Sequence, residues 1–160
     1  MWNTFQDYMD DRPAAQFFSL PWTSTHEALI DGTVGVPDHQ ASWEALAFAI
    51  AIKTWVTTDV QGQVTIIGDA AGVIGNLIAM RSRSPPINDI VKEVALHLTP
   101  LGLDLMGLHL WAEHNQQADE LSRLTGKDNV PDWIHPSTLK AEPLLVEPRK
   151  WRLTDTETDD

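Results

Sequence analysis

Three acids stand where this chain passes from one kind of element to the next. Glu44 lies in an apolar helix-forming run, and Asp69 ends a β-branched run. Asp119 belongs to the stretch His109-Leu110-Trp111-Ala112-Glu113-His114-Asn115-Gln116-Gln117-Ala118-Asp119-Glu120-Leu121-Ser122-Arg123. Convergent carboxylates repel one another, so they persist together only with hard cations between them. Magnesium or manganese would take such oxygen ligands and keep water sites open for phosphate. A pair of these ions can activate water and stabilise the leaving oxygen of an in-line displacement at phosphorus. Cysteine is absent from the 160 residues, so thiolate sites and disulfides are excluded and any metal must use oxygen or histidine. Each acid also has a plainer reading. Asp is a preferred N-cap, and for Asp69 alone the cap is the more economical choice. A glutamate near a helix start complements the macrodipole, and an aspartate on an amphipathic helix is commonly a solvated charge.

The elements that must position these acids follow from periodicity. The span Ala41 to Thr57 predicts a helix whose buried side carries Trp43, Leu46, Ala47, Ile50 and Trp55. Gln63 to Gly68 is a β-branched strand of the kind that lies inside a sheet. Asp69 closes that strand at the end where open α/β sheets gather their chemistry. A helix from Ala70 to Arg81 follows. Ser84-Pro85-Pro86 then starts a second helix, with Ile87, Ile90, Val91, Val94, Ala95 and Leu98 as its core stripe. Leu103 to Trp111 is a strand that delivers the chain to Asn115, placed as the N-cap of a closing helix. Spacing of four sets Asn115 and Asp119 on one face of that helix, with Ala118, Leu121 and Leu124 turned to a core. Earlier, Ala15 to Leu20 suits an edge strand closed by Pro21, and Trp22 to Gln40 reads as a long loop with one helical turn. The fold class is therefore α/β over residues 15–125. Residues 1–14 are expected to be irregular and 126–160 to form an extended or disordered acidic tail.

The net charge of −12 argues against an autonomous, tight nucleic-acid binder, because such binding rests on neutralising phosphates. Much of that charge lies at the two ends, in Asp7, Asp10 and Asp11 and in Thr154 to Asp160. The middle keeps Lys53, Arg81, Arg83, Lys92 and Arg123 for phosphate contacts, and Arg81-Ser82-Arg83-Ser84 is a compact basic and hydroxyl cluster. No apolar run reaches the roughly 18 residues of a membrane span, and the first residues lack the basic start and apolar stretch of a secretory signal. An intracellular setting without a membrane is the expectation.

Three segments together resemble a known family: Trp43-Glu44-Ala45-Leu46-Ala47, Ile66-Ile67-Gly68-Asp69-Ala70-Ala71, and Asn115 to Arg123. They are similar to the ribonuclease H-like domain that follows the polymerase in retroelement (retrotransposon) reverse transcriptases. The last segment is the most specific, since Asn-x-x-Ala-Asp-x-Leu-Ser-Arg is a recurring ending there. Arg81-Ser82-Arg83-Ser84-Pro85 before an apolar helix is shared with the same group. The resemblance implies a mixed sheet flanked by helices and cleavage of the RNA strand of RNA–DNA hybrids. It also implies two Mg2+ (or Mn2+) ions held by four acids, and a polymerase domain as partner in a larger polyprotein. Glu44, Asp69 and Asp119 match the second, third and fourth of those catalytic, metal-binding acids. Arg81, Arg83, Asn115 and Arg123 are the expected nucleic-acid contacts. His109 and His114 are possible accessory residues near the closing motif, although a structural role is the stronger expectation for both.

The chain also departs from the family. The first acid belongs on a strand of the form Asp-Ala-Ser before Phe17, and Asp7, Asp10 and Asp11 have no such context. The domain is therefore expected to be N-terminally truncated and its cleavage impaired. Ala70 replaces the usual Ser or Asn after the third acid. The alternatives are a non-catalytic structural or docking module of a reverse transcriptase, or an unrelated α/β domain whose acids only cap helices.

Overall fold

The computed structural model describes residues 16–123 and the strand Leu139–Lys140. The expectations for residues 1–14, Leu124 and most of 126–160 lie outside the described residues. Within them the chain is α/β: β1 (Gln16–Phe17), α1 (Ser24–Ile30), α2 (Gln40–Trp55), β2 (Gln63–Gly68), α3 (Ala71–Ile78), α4 (Pro85–Leu98), β3 (Asp104–His109), α5 (Gln116–Ser122) and β4 (Leu139–Lys140). The strands form two parallel pairs, β1 with β4 and β2 with β3. The short β4 falls inside the segment expected to be a tail, so part of that segment returns to the beginning of the described chain.

Helix α1 occupies part of the span read as a loop. The Thr23 backbone N–H donates to His26 Nδ1 at 3.1 Å, satisfying a group that a helix start leaves open. Histidine replaces the usual Glu or Gln of such a box, which hid the signal. Ile30 anchors the helix in the core, and Asp31 ends it in the left-handed conformation at φ 49°. Next, a 3₁₀ turn at Pro37–His39 leads into α2.

The core is built on α2 and α4. Leu46, Ala49 and Ile50 of α2 and Ile90, Val91 and Val94 of α4 are all but fully buried. Burial of each larger side chain stabilises the fold by about 1.5–3 kcal/mol relative to exposure. Helix α2 is covered on more of its circumference than the predicted stripe, through Ser42, Ala45 and Ile52, while Trp55 stands exposed at the rim. Glu93 is buried on the core side of α4, where the expected stripe held only apolar residues. Lys53 of α2 meets it at 2.9 Å across the helix pair. An unpaired carboxylate there would be costly.

Strands β2 and β3 run in register from Gln63 opposite Asp104 to Gly68 opposite His109. The crossover between them is made by α3 and α4, as a parallel pair requires. Alternation along β2 buries Ile66 and Gly68 and exposes Thr65 and Ile67. The sequence predicts a strand of the kind that lies inside a sheet. Among the described residues only one face is covered, and Ile67, Met106 and Leu108 are exposed on the other. Gly107 shows how closely the covered face is packed: a Cβ there would collide with Ile74 and Ile78 of α3. No helix among the described residues is long and apolar enough to cross a membrane.

Candidate functional site at the strand ends

The pairing of β2 with β3 continues one step beyond the strands, because the Leu110 N–H donates to the Gly68 carbonyl at 2.7 Å. That bond fixes the exit of β3 beside Asp69. A 3₁₀ turn at Ala112–His114 then reverses the chain into α5, with Asn115 at its N-cap position. The Asn115 side-chain amide reaches back and donates to Asp69 Oδ1 at 3.0 Å, joining residues 46 apart in sequence.

This bond corrects two expectations. Asp69 does not cap α3: Ala70 holds the N-cap position without a side-chain bond, and the Asp69 carboxylate faces the other strand's exit. Asn115 stands at the predicted cap position but makes no side-chain cap bond, because its amide is directed to Asp69. The predicted burial of α5 is also corrected. Ala118 is exposed and Leu121 half-buried, so this seven-residue helix lies at the surface.

Helix α2, which carries Glu44, packs against the end of β2. Phe48, one turn later on the same helix face, lies 2.7 Å from where a Gly68 Cβ would be. Only glycine lets α2 approach the residue before Asp69 so closely without displacing that ring. Glu44 itself is half-buried and accepts a bond from Gln40 Nε2 at 3.2 Å. Asp119 is held by Arg123, whose Nε and Nη2 lie 3.2 and 3.0 Å from Oδ1.

Glu44, Asp69 and Asp119 are thus each engaged by an amide or a guanidinium. Among the described residues, no group of three or more His, Asp or Glu is arranged to hold a metal ion. In this arrangement the side chains do not fit a two-ion centre. Chemically, the site offers accessible carboxylates as hydrogen-bond acceptors, with one amide and one guanidinium as donors already engaged by two of them.

His109 ends β3, its ring 5.1 Å from that of Trp111 in an edge-on arrangement, and Trp111 is 68% exposed. His114 lies 3.5 Å from Glu113, both exposed. Among the described residues, neither histidine bonds to Glu44, Asp69 or Asp119. Arg81 and Arg83 lie on the connection from α3 to α4, in a cleft separate from the strand ends. The partners Gln40 and Arg123 were not foreseen as such, although spacing of four from Glu44 and Asp119 is a signal for both. The Asn115–Asp69 contact has no local signal.

Comparison with protein-family models, with curated proteins and with solved structures finds no match to this chain.

Proposed function

We propose that this chain is a ribonuclease H-like domain of a retroelement reverse transcriptase that faces RNA–DNA hybrids with its strand-end site and has impaired hydrolytic capacity. One observation carries the proposal. Two of the three segments that resemble the family, around Asp69 and from Asn115 to Arg123, meet through the Asn115–Asp69 bond at the carboxyl ends of adjacent parallel strands. That placement is where α/β sheets bind ligands. Glu44 lies one turn before Phe48, whose ring packs on Gly68. In the family, divalent ions supply the Lewis acid and activated water for phosphodiester hydrolysis. Here the acids carry protein partners, so binding is expected to outlast cleavage.

The partnered state of the acids favours a second reading, a non-catalytic module within a larger polyprotein that contains a polymerase domain. One experiment addresses both. Fluorescence anisotropy of a labelled RNA–DNA hybrid and the same-sequence DNA duplex at low salt should show preference for the hybrid. Gel analysis of the RNA strand in Mg2+ or Mn2+ should show weak cleavage that Asp69→Asn removes. Hybrid preference without Asp69-dependent cleavage selects the non-catalytic module. Equal or absent binding to both duplexes overturns the proposal.

A further inference from the structure

Five Lys or Arg side chains lie between residues 16 and 123. Three are in ion pairs: Lys53 with Glu93, Lys92 with Asp89, and Arg123 with Asp119. Arg81 and Arg83 have no carboxylate partner among the described residues, and both line one cleft of about 600 Å³. The rest of its wall includes Asn76, Ser82, Ser84 and Ile87, and no carboxylate among the described residues lines it. In a chain of net charge −12, two guanidinium groups on one concave surface, without a carboxylate partner among the described residues, are a concentrated exception to the prevailing field.

The backbone builds this cleft at a cost. Helix α3 ends with Met80 in the left-handed conformation at φ 49°, where a side chain is disfavoured by roughly 1–2 kcal/mol. The Met80 N–H donates to the Leu77 carbonyl and the Arg81 N–H to the Asn76 carbonyl, the paired bonds of a Schellman turn. This turn folds the connection back along α3, so that Arg81 to Ser84 face Asn76. The connection is then pinned from α4: the Ser82 N–H donates to Asn88 Oδ1 at 3.1 Å, and the Ser84 N–H to Ser82 Oγ at 3.2 Å. Because Ser82 Oγ accepts that bond, its own proton remains available to a ligand.

The geometry points to this cleft as a seat for a phosphate group, held by the Arg81 and Arg83 guanidinium groups and the serine hydroxyls. Pro85 and Pro86 open α4 and have no N–H, so the helix start contributes its dipole but few backbone donors. Recognition therefore falls to the side chains, and planar guanidinium groups match phosphate oxygens well. Resting on the functional reading above, the phosphate is one of the nucleic-acid backbone. The cleft then supplies a sequence-independent anchor separate from the strand-end site.

Two measurements on the full chain test this. In the first, inorganic phosphate is titrated into 15N-labelled protein, and the amides of Arg81 to Ser84 and Ile87 should shift saturably in the wild type but not in an Arg81→Gln/Arg83→Gln variant. In the second, anisotropy with an RNA–DNA hybrid should show about tenfold weaker binding by the double variant. The slope of log affinity against log salt should fall by about 2. Lys92→Gln, on α4 and already paired with Asp89, should change affinity less than twofold. Hybrid binding that is unaltered in the double variant, with no saturable phosphate shifts, overturns the seat and leaves the strand-end reading standing. Saturable, arginine-dependent phosphate shifts in a protein that ignores the hybrid retain the seat and overturn the nucleic-acid reading.

Discussion

The covered face of the β2–β3 pair and the open ends of the same strands are separated by only a few residues, yet different forces hold them. On the face, Ile66 packs under the helices, and Gly107 lets β3 approach α3 until no room remains for a methyl group. At the ends, Asp69, Asn115, Asp119 and Arg123 are joined by solvent-accessible polar bonds of 3.0–3.2 Å. Burial is nearly irreversible for a side chain without unfolding, whereas an exposed polar bond exchanges with water or ligand at little cost. The strand-end site is therefore supported by a rigid scaffold while its own contacts stay replaceable, as a binding surface requires.

Substitutions should separate the two regions by magnitude. Gly107→Ala drives a methyl group into Ile74 and Ile78 and should destabilise by about 2 kcal/mol, read as a lower urea midpoint at unchanged m-value. An unchanged midpoint would remove the contrast. A smaller effect is expected where the scaffold contains a titratable group. Burial holds His26 below its ordinary value, so on acidification the unfolded chain takes up this proton before the folded one does. Its stabilising contribution is present in full above about pH 6.5 and declines below it until the folded state titrates as well. His26→Gln keeps the capping-box chemistry and should flatten that part of the pH–stability curve. Parallel wild-type and variant curves from pH 7.5 to 5 would show that His26 is not responsible. Smallest of all, Asn115→Ala or Arg123→Ala should change stability by under about 1 kcal/mol, since each removes an exposed polar partner. A loss comparable to that of Gly107→Ala would place these residues in the scaffold.

The sequence made the scaffold more legible than the site. Strand β2 has the predicted bounds, and α2 and α4 lie within a few residues of theirs, because Ala- and Leu-rich helical periodicity and the Ser84-Pro85-Pro86 start are local signals. Helix α1 was hidden because His26 fills a position where Glu or Gln is the recognised signal. The burial of Glu93 was hidden because its partner Lys53 lies 40 residues away. The same distance problem governs the site. Local preferences assigned Asp69 and Asn115 to separate helix caps, whereas the parallel register of β2 and β3 turned both side chains towards each other. The Arg81–Ser84 cluster was legible as residues, but the left-handed Met80 that folds it into a cleft carries no glycine to announce it.

The central claim is that segments distant in sequence form one ligand-facing surface at the carboxyl ends of β2 and β3. Amide chemical-shift mapping with a short RNA–DNA hybrid at low ionic strength tests it most directly. The account predicts that Gly68 to Ala70 and Asn115 to Asp119 shift together with one apparent Kd, while the amides of Thr65 and Met106 at mid-strand remain still. Shifts confined to other parts of the chain, or separate Kd values for the two segments, would contradict it.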